Sequence, residues 1–299
     1  MKFLLTAINA KFIHSNPAIY SLRAGVGEKL QPYVELAEFT INESLESILE
    51  GIWKRQPKVI GFSCYIWNWK LIREILTELP KILPDTEIWL GGPEVTYDGP
   101  GLLSEFPQVT GIMVGEGEVT FREVLGQYVR EAESTGQSEQ QPEPDSIEQQ
   151  AADRTGTLAG KSVAERFGQI PGLCLASGYT APRELTDLTT LPFLYEDMEP
   201  FTNRIIYYET SRGCPYRCSY CLSSIDKKVR LRDIDVVKRE LQFFLDQNVK
   251  QVKFIDRTFN CDHKHAMEIW EYIYKHDNGV TNFHFEISAD ILREEEIVL

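Results

Sequence analysis

Three cysteines fall within eight residues, in Cys214-Pro-Tyr-Arg-Cys218-Ser-Tyr-Cys221, directly after the strand-like run Arg204-Ile-Ile-Tyr-Tyr208. The spacing is C-x3-C-x2-C. Thiolates this close can hold three corners of a [4Fe-4S] cube, because an irregular loop wrapped round the cluster lets each sulfur face its own iron. The fourth iron is then left without a protein ligand, open to bind and activate a small molecule. Gly213 suits a tight backbone just before the first cysteine, and Arg212 and Arg217 can offset the charge of a thiolate-rich site.

Other readings compete for these residues. Structural zinc normally takes two C-x2-C pairs, and only Cys218 and Cys221 form one. A disulfide framework belongs to small secreted domains. Unrelated free thiols do not usually cluster this way in a chain with six cysteines. The iron-sulfur reading is favoured over all three.

The C-x3-C-x2-C loop after a first strand, with aromatic Tyr220 just before the last cysteine, resembles the radical S-adenosylmethionine (SAM) superfamily. The resemblance implies that Cys214, Cys218 and Cys221 ligate the cluster. It further implies that SAM chelates the open iron through its amino and carboxylate groups, and that an electron from the cluster cleaves the sulfonium to a 5'-deoxyadenosyl radical.

At 299 residues the chain can fold as two domains with substantial cores, and 42% hydrophobic with 25% charged residues is ordinary for a soluble protein. A net charge of -14 argues against a general nucleic-acid or membrane-surface binder. No apolar run approaches membrane-spanning length, and Met1-Lys-Phe-Leu-Leu-Thr-Ala is too short for a signal peptide before Lys11. The expectation is a cytoplasmic protein, in keeping with an open iron-sulfur site in a reducing compartment. Cys64, Cys174 and Cys261 stand singly and read as buried thiols.

Residues 1–130 alternate short apolar runs with helical patterns. The runs begin at Lys2, Val34, Val59, Glu87 and Gly111. Ile48, Ile52 and Trp53 mark one helical face, and Leu71, Ile72, Ile75, Leu76 and Leu79 another. This predicts an α/β fold with a doubly wound, Rossmann-like parallel sheet, whose ligand lies off the carboxyl ends of the strands. Ser63 ends the third run, Gly91-Gly92 the fourth and Gly115-Glu-Gly-Glu118 the fifth. Ser63 and Gly91-Gly92 are spaced like the serine and double glycine of the cobalamin (B12)-binding domain that often precedes a radical SAM barrel. The resemblance implies that these small residues admit the dimethylbenzimidazole tail. The family's Asp-x-His-x-x-Gly loop is absent. His14 stands in the corresponding loop without its acidic partner, so an ordinary loop role is expected for it rather than cobalt ligation.

From Glu131 to Asp153 the chain carries seven acids and no base, which predicts a disordered acidic linker over 131–163. Residues 164–203 then read as a small hairpin and a Pro-containing strap that packs Leu191, Phe193, Leu194 and Tyr195 onto the next domain.

Residues 204–299 contain three β/α units, expected to be the first half of a radical SAM (β/α)6 partial barrel. Val237, Leu241, Phe244 and Leu245 predict the buried face of one helix, and Met267, Trp270 and Tyr274 that of the next. Phe254-Ile-Asp256-Arg257-Thr-Phe-Asn260 resembles the Asp-rich segment that replaces Gly-Gly-Glu in cobalamin-type members. Asp256 is thereby expected to accept from the SAM ammonium, and Glu286 in the third strand to reach the ribose or substrate. The chain ends at Leu299 in a helical pattern, which reads as a C-terminally truncated barrel.

The expected activity is radical SAM chemistry with cobalamin-dependent methyl transfer to an unactivated carbon of a small-molecule or peptide substrate, with flavodoxin or ferredoxin as reductant and no membrane or nucleic-acid partner. Radical cyclisation or rearrangement is one alternative. A non-catalytic cobalamin or iron-sulfur binding fragment is the other.

Overall fold

The computed structural model describes residues 1–134, 161–226 and 228–299. It separates into two compact units, one of Met1–Phe12 with Ala18–Leu185 and one of Ile13–Pro17 with Thr186–Leu299. Most of the expected acidic linker lies outside the described residues.

The first unit contains β1 (Phe3–Asn9), α1 (Pro17–Gly25, entered from the other unit), β2 (Val34–Thr40), α2 (Leu45–Trp53), β3 (Val59–Ser63), α3 (Trp69–Ile82), β4 (Glu87–Gly91), α4 (Gly99–Glu105), β5 (Val109–Met113), α5 (Gly117–Ser134), α6 (Val163–Phe167), β6 (Leu173–Leu175) and β7 (Gly178–Tyr179). Its sheet has the order β2-β1-β3-β4-β5-β6-β7. The first five strands pair in parallel, and β1 and β3 are buried along their whole length, as strands covered by helices on both faces must be. Ile48 and Ile52 of α2 and Ile72, Ile75, Leu76 and Leu79 of α3 fill one side of the sheet; Phe121, Val124 and Leu125 of α5 fill the other.

Three sequence expectations need correction here. Trp53 does not share the buried face of α2 but is 50% exposed. The hairpin is no separate connector: β6 pairs antiparallel with β5 through Ile112 and Cys174, and β7 closes the same sheet. Residues 131–134 are the last turn of α5, where Glu131 binds the fully buried Arg166 side chain of α6. Arg166 also binds Glu87 at the start of β4, so α5 and α6 are both tied to the sheet.

In the second unit β8 (Ile206–Tyr208) leads to β9 (Ser211–Arg212), which pairs antiparallel with β10 (Arg230–Leu231). There follow α7 (Ile234–Asp246), β11 (Gln251–Phe254), α8 (His263–His276), β12 (Asn282–His284) and α9 (Glu294–Val298). The order β12-β11-β8 is parallel throughout. The α7 face is as expected, with Val237, Leu241, Phe244 and Leu245 all buried. On α8 the buried residues are His265, Ala266 and Ile269, whereas Tyr274 is 70% exposed. The strap packs by aromatic edges: Phe193 meets Phe243 and Phe244, and Tyr195 meets Phe201 and Phe244.

Candidate functional site

The cysteine loop runs from β9 to β10, and that two-stranded ribbon closes its neck. Gly213 has φ +99°, and a Cβ there would stand 2.4 Å from the Lys228 carbonyl oxygen, so only glycine fits. Next to it the Cys214 N–H donates to the Asp226 carbonyl at 3.0 Å. Arg230 clasps the returning strand by donating to the Asp226 carboxylate and the Thr186 carbonyl.

Within this loop Cys214 is buried, with Sγ 3.5 Å from the Thr258 hydroxyl, while Cys218 and Cys221 are exposed. The Cys221 N–H donates to the Cys218 carbonyl at 3.1 Å. The Ser223 backbone N–H and then its hydroxyl, with a smaller share from the Arg257 charge, hold the Cys221 thiol below its ordinary range. Arg212 takes a different part from the one expected, since its guanidinium pairs with Glu209 at 2.8 Å. Among the described residues no three His, Cys, Asp or Glu side chains are gathered closely enough to hold a metal ion, so the three sulfurs do not converge in this conformation. The donor chemistry nevertheless fits an iron-sulfur cluster. Three thiols share one short loop, one of them is already biased toward thiolate, and no carboxylate or imidazole intervenes between Gly213 and Ile225.

Asp256 has partners within the protein. It is 1% exposed and lies two residues beyond the end of β11. One carboxylate oxygen accepts from the hydroxyls of Thr210 and Ser211, each at 2.6 Å, and the other from the Thr210 N–H at 3.1 Å. Burial pushes the carboxyl up, opposed by those hydrogen bonds. In this structure Asp256 secures the backbone that enters the cysteine loop. Glu286 also moves: β12 ends at His284, and the Glu286 carboxylate, about half exposed, lies 3.4 Å from Lys253 Nζ.

In the first unit Ser63 and Gly91 face each other across β3 and β4 at the carboxyl edge of the sheet, and the Cys64 N–H donates to the Gly91 carbonyl at 2.7 Å. The two glycines differ in what they allow. A Cβ on Gly91 would meet only Met113, at 3.8 Å, whereas one on Gly92 (φ +108°) would stand 2.5 Å from the Cys64 carbonyl oxygen. Gly92 is therefore demanded by the fold itself, while Gly91 leaves room. Glu118, just after the fifth strand, is buried and accepts from the Ser21 hydroxyl at 3.0 Å. His14 belongs to the second unit, where its Nδ1 and the Tyr207 hydroxyl are 2.5 Å apart.

Sequence reading missed the loop after β3. Asn68 is fully buried; its amide accepts the Tyr65 N–H and donates to the carbonyls of Ile8 and Ser63, which joins the ends of β1 and β3. On that anchored loop Tyr65 and Trp67 stack at 4.5 Å and 7° between planes, with Ile66 82% and Trp67 47% exposed. Exposed Phe12 and Ile41, after β1 and β2, lie at the same sheet edge. The edge thus offers apolar surface beside small residues, which fits a large ligand with an apolar face. The signal available in the sequence was the aromatic pair Tyr65-Ile-Trp67 between a strand and an Asn-led helix.

Comparison with known proteins agrees with both units. The B12 binding domain family matches residues 4–125, and the Radical SAM superfamily matches residues 208–298. The chain belongs to the radical SAM proteins that carry an N-terminal B12-binding domain. It is 27% identical over 228 residues to the 2-(S-pantetheinyl)-carbapenam-3-carboxylate methyltransferase of Streptantibioticus cattleyicolor, covering 73% of this chain and 29% of that protein. It is 24% identical over 226 residues to the cobalamin-dependent radical SAM methyltransferase TokK of Streptomyces tokunonensis, covering 68% and 28%. Its fold is similar to that of the radical SAM methyltransferase TsrM from Kitasatospora setae, solved with cobalamin and a [4Fe-4S] cluster, with a TM-score of 0.62, 17% identity and coverage of 99% of this chain and 58% of that one. The chain therefore spans less than a third of either sequence relative. Among the described residues no helix is long and apolar enough to cross a membrane.

Proposed function

We propose that this chain acts in cobalamin-dependent radical SAM chemistry, with Cys214, Cys218 and Cys221 as the ligands of a [4Fe-4S] cluster and with methyl transfer to an unactivated carbon as the outcome. The observation that carries the reading is the closed cysteine loop at the carboxyl ends of β8 and β11, in a chain whose other unit has the B12-binding fold. A cluster held by Cys214, Cys218 and Cys221 would supply the electron for reductive cleavage of SAM, and a cobalamin held at the edge by Ser63 and Gly91 would supply the methyl group.

The chain's own residues prepare those sites. Asp256 fixes Thr210 and Ser211, so the loop leaves β8 along one path. Ser223 and Arg257 favour thiolate at Cys221, the form that binds iron. The exposed aromatic side chain of Tyr220 lies between the outer two cysteines, available to a planar ligand. Ser63 and Gly91 keep the sheet edge free of bulk, and Tyr65, Ile66 and Trp67 offer it apolar surface. A cytoplasmic setting, a flavodoxin or ferredoxin as electron donor and a small-molecule or peptide substrate complete the proposal.

Anaerobic reconstitution with iron and sulfide, followed by dithionite, SAM and methylcobalamin, tests it. The expected results are a brown absorbance at roughly 400 nm that Cys218→Ala abolishes, and release of 5'-deoxyadenosine. S-adenosylhomocysteine with a methylated product separates methyl transfer from cyclisation. Zinc at the three thiols, or no metal after reconstitution, overturns the reading.

A further inference from the structure

The cysteine loop is held to the barrel strands at a second point. From Pro215 to Leu222 every residue is exposed except Tyr216, which is half-buried. Its hydroxyl donates to the Ser288 hydroxyl at 3.2 Å. Ser288 is prepared to accept, because its own proton goes to the Asp290 carboxylate at 2.6 Å. The Ser288 backbone is clasped on both sides by one fully buried side chain: the Asn260 amide donates to its carbonyl and accepts its N–H, both at 2.9 Å. Asn260 lies two residues after Thr258, whose hydroxyl meets Cys214 Sγ. Phe259, between them, packs on Phe254, Trp270 and Phe285 and donates its N–H to the Glu286 carbonyl. The loops after β11 and β12 thus form one rigid node, and the cysteine loop touches it twice.

We propose that Tyr216, Ser288 and Asn260 are positioning residues: they tether the outer half of the cysteine loop to the node that Cys214 also touches, which limits how far Cys218 and Cys221 can stray from it, so that a bound cluster is released slowly. A fold-only explanation of the same contacts is weaker. The Tyr216 bond stabilises nothing on its own side but an exposed loop, whereas the strands beneath already have an aromatic core. The proposal deepens the iron-sulfur reading and rests on it for its metal readout.

The test uses Tyr216→Phe, Ser288→Ala and the double variant, sparing buried Asn260. Hydrogen exchange on the metal-free protein should show amides of 215–224 exchanging about three- to tenfold faster in Tyr216→Phe, the loss expected for one net hydrogen bond, with α7 unchanged. After anaerobic reconstitution, transfer of iron to a ferrous chelator should accelerate by a similar factor in either single variant, and the double variant should be no faster than the quicker single. Loop exchange like that of the unaltered protein, or additive effects of the two substitutions, overturns the tether. If the unaltered protein takes up no iron, the cluster reading fails, and the exchange experiment still decides whether the tether exists.

Discussion

Asp256 receives both the hydroxyl and the backbone N–H of Thr210, at 2.6 and 3.1 Å, with almost no contact with water. A buried carboxylate in that position acts first on the architecture, because three donors at the mouth of the cysteine loop depend on it. Asp256→Asn keeps one acceptor and turns an amide N–H toward a donor, so it should cost about 1–3 kcal/mol of stability, read from urea unfolding.

The same carboxyl has a pH signature. Burial raises its native pKa above the ordinary aspartate range, so between the two values the native state holds a proton that the unfolded chain has lost. Stability from this group is then highest at or below the ordinary range and falls as pH rises through the raised native value, above which it is level. Unfolding free energies measured against pH should show that decline in the unaltered protein, and Asp256→Asn should lack it.

Gly91 and Gly92 separate a ligand role from a folding role. Gly92→Ala drives a Cβ against the Cys64 carbonyl in a left-handed backbone and should cost roughly 1–3 kcal/mol. Gly91→Ala meets only ordinary contact, so stability should change by no more than about 0.5 kcal/mol. If Gly91 admits the cobalamin tail, equilibrium binding of hydroxocobalamin, followed by tryptophan fluorescence, should weaken in Gly91→Ala while the melting temperature stays put.

Thiol reactivity should follow burial and local hydrogen bonding. Cys218 and Cys221 are exposed and Cys221 is biased toward thiolate, whereas burial pushes the Cys64 and Cys174 thiols up. Iodoacetamide at neutral pH, followed by peptide mass spectrometry of the metal-free protein, should label Cys221 first and leave Cys64 and Cys174 unmodified until the chain unfolds.

Arg166 ties α6 to β4 and α5 through Glu87 and Glu131, with its own side chain wholly buried. Arg166→Met leaves two part-buried carboxylates without their cation and should cost about 3–5 kcal/mol. Thermal unfolding would show this as a marked loss, and Glu131→Gln should reproduce part of it.

Much of this was legible in one dimension. Cysteine spacing is local and survives any packing, so Cys214, Cys218 and Cys221 could be read as a set. Alternating strands and helices, and the buried face of α7, follow from periodicities of two and 3.6 residues that each element carries by itself.

What the sequence left open depends on residues far apart in the chain. That Asp256 meets Thr210 depends on how β11 registers against β8, and His14 finds its partner in Tyr207, 193 positions away. Tyr216 gave no sign of Ser288, because a tyrosine in a polar loop reads the same with or without an acceptor. The hairpin's place on β5, the exposure of Trp53 and Tyr274, and the demand for glycine at Gly92 have one cause: burial and clearance are properties of pairs of surfaces, and a sequence states only one member of each pair at a time.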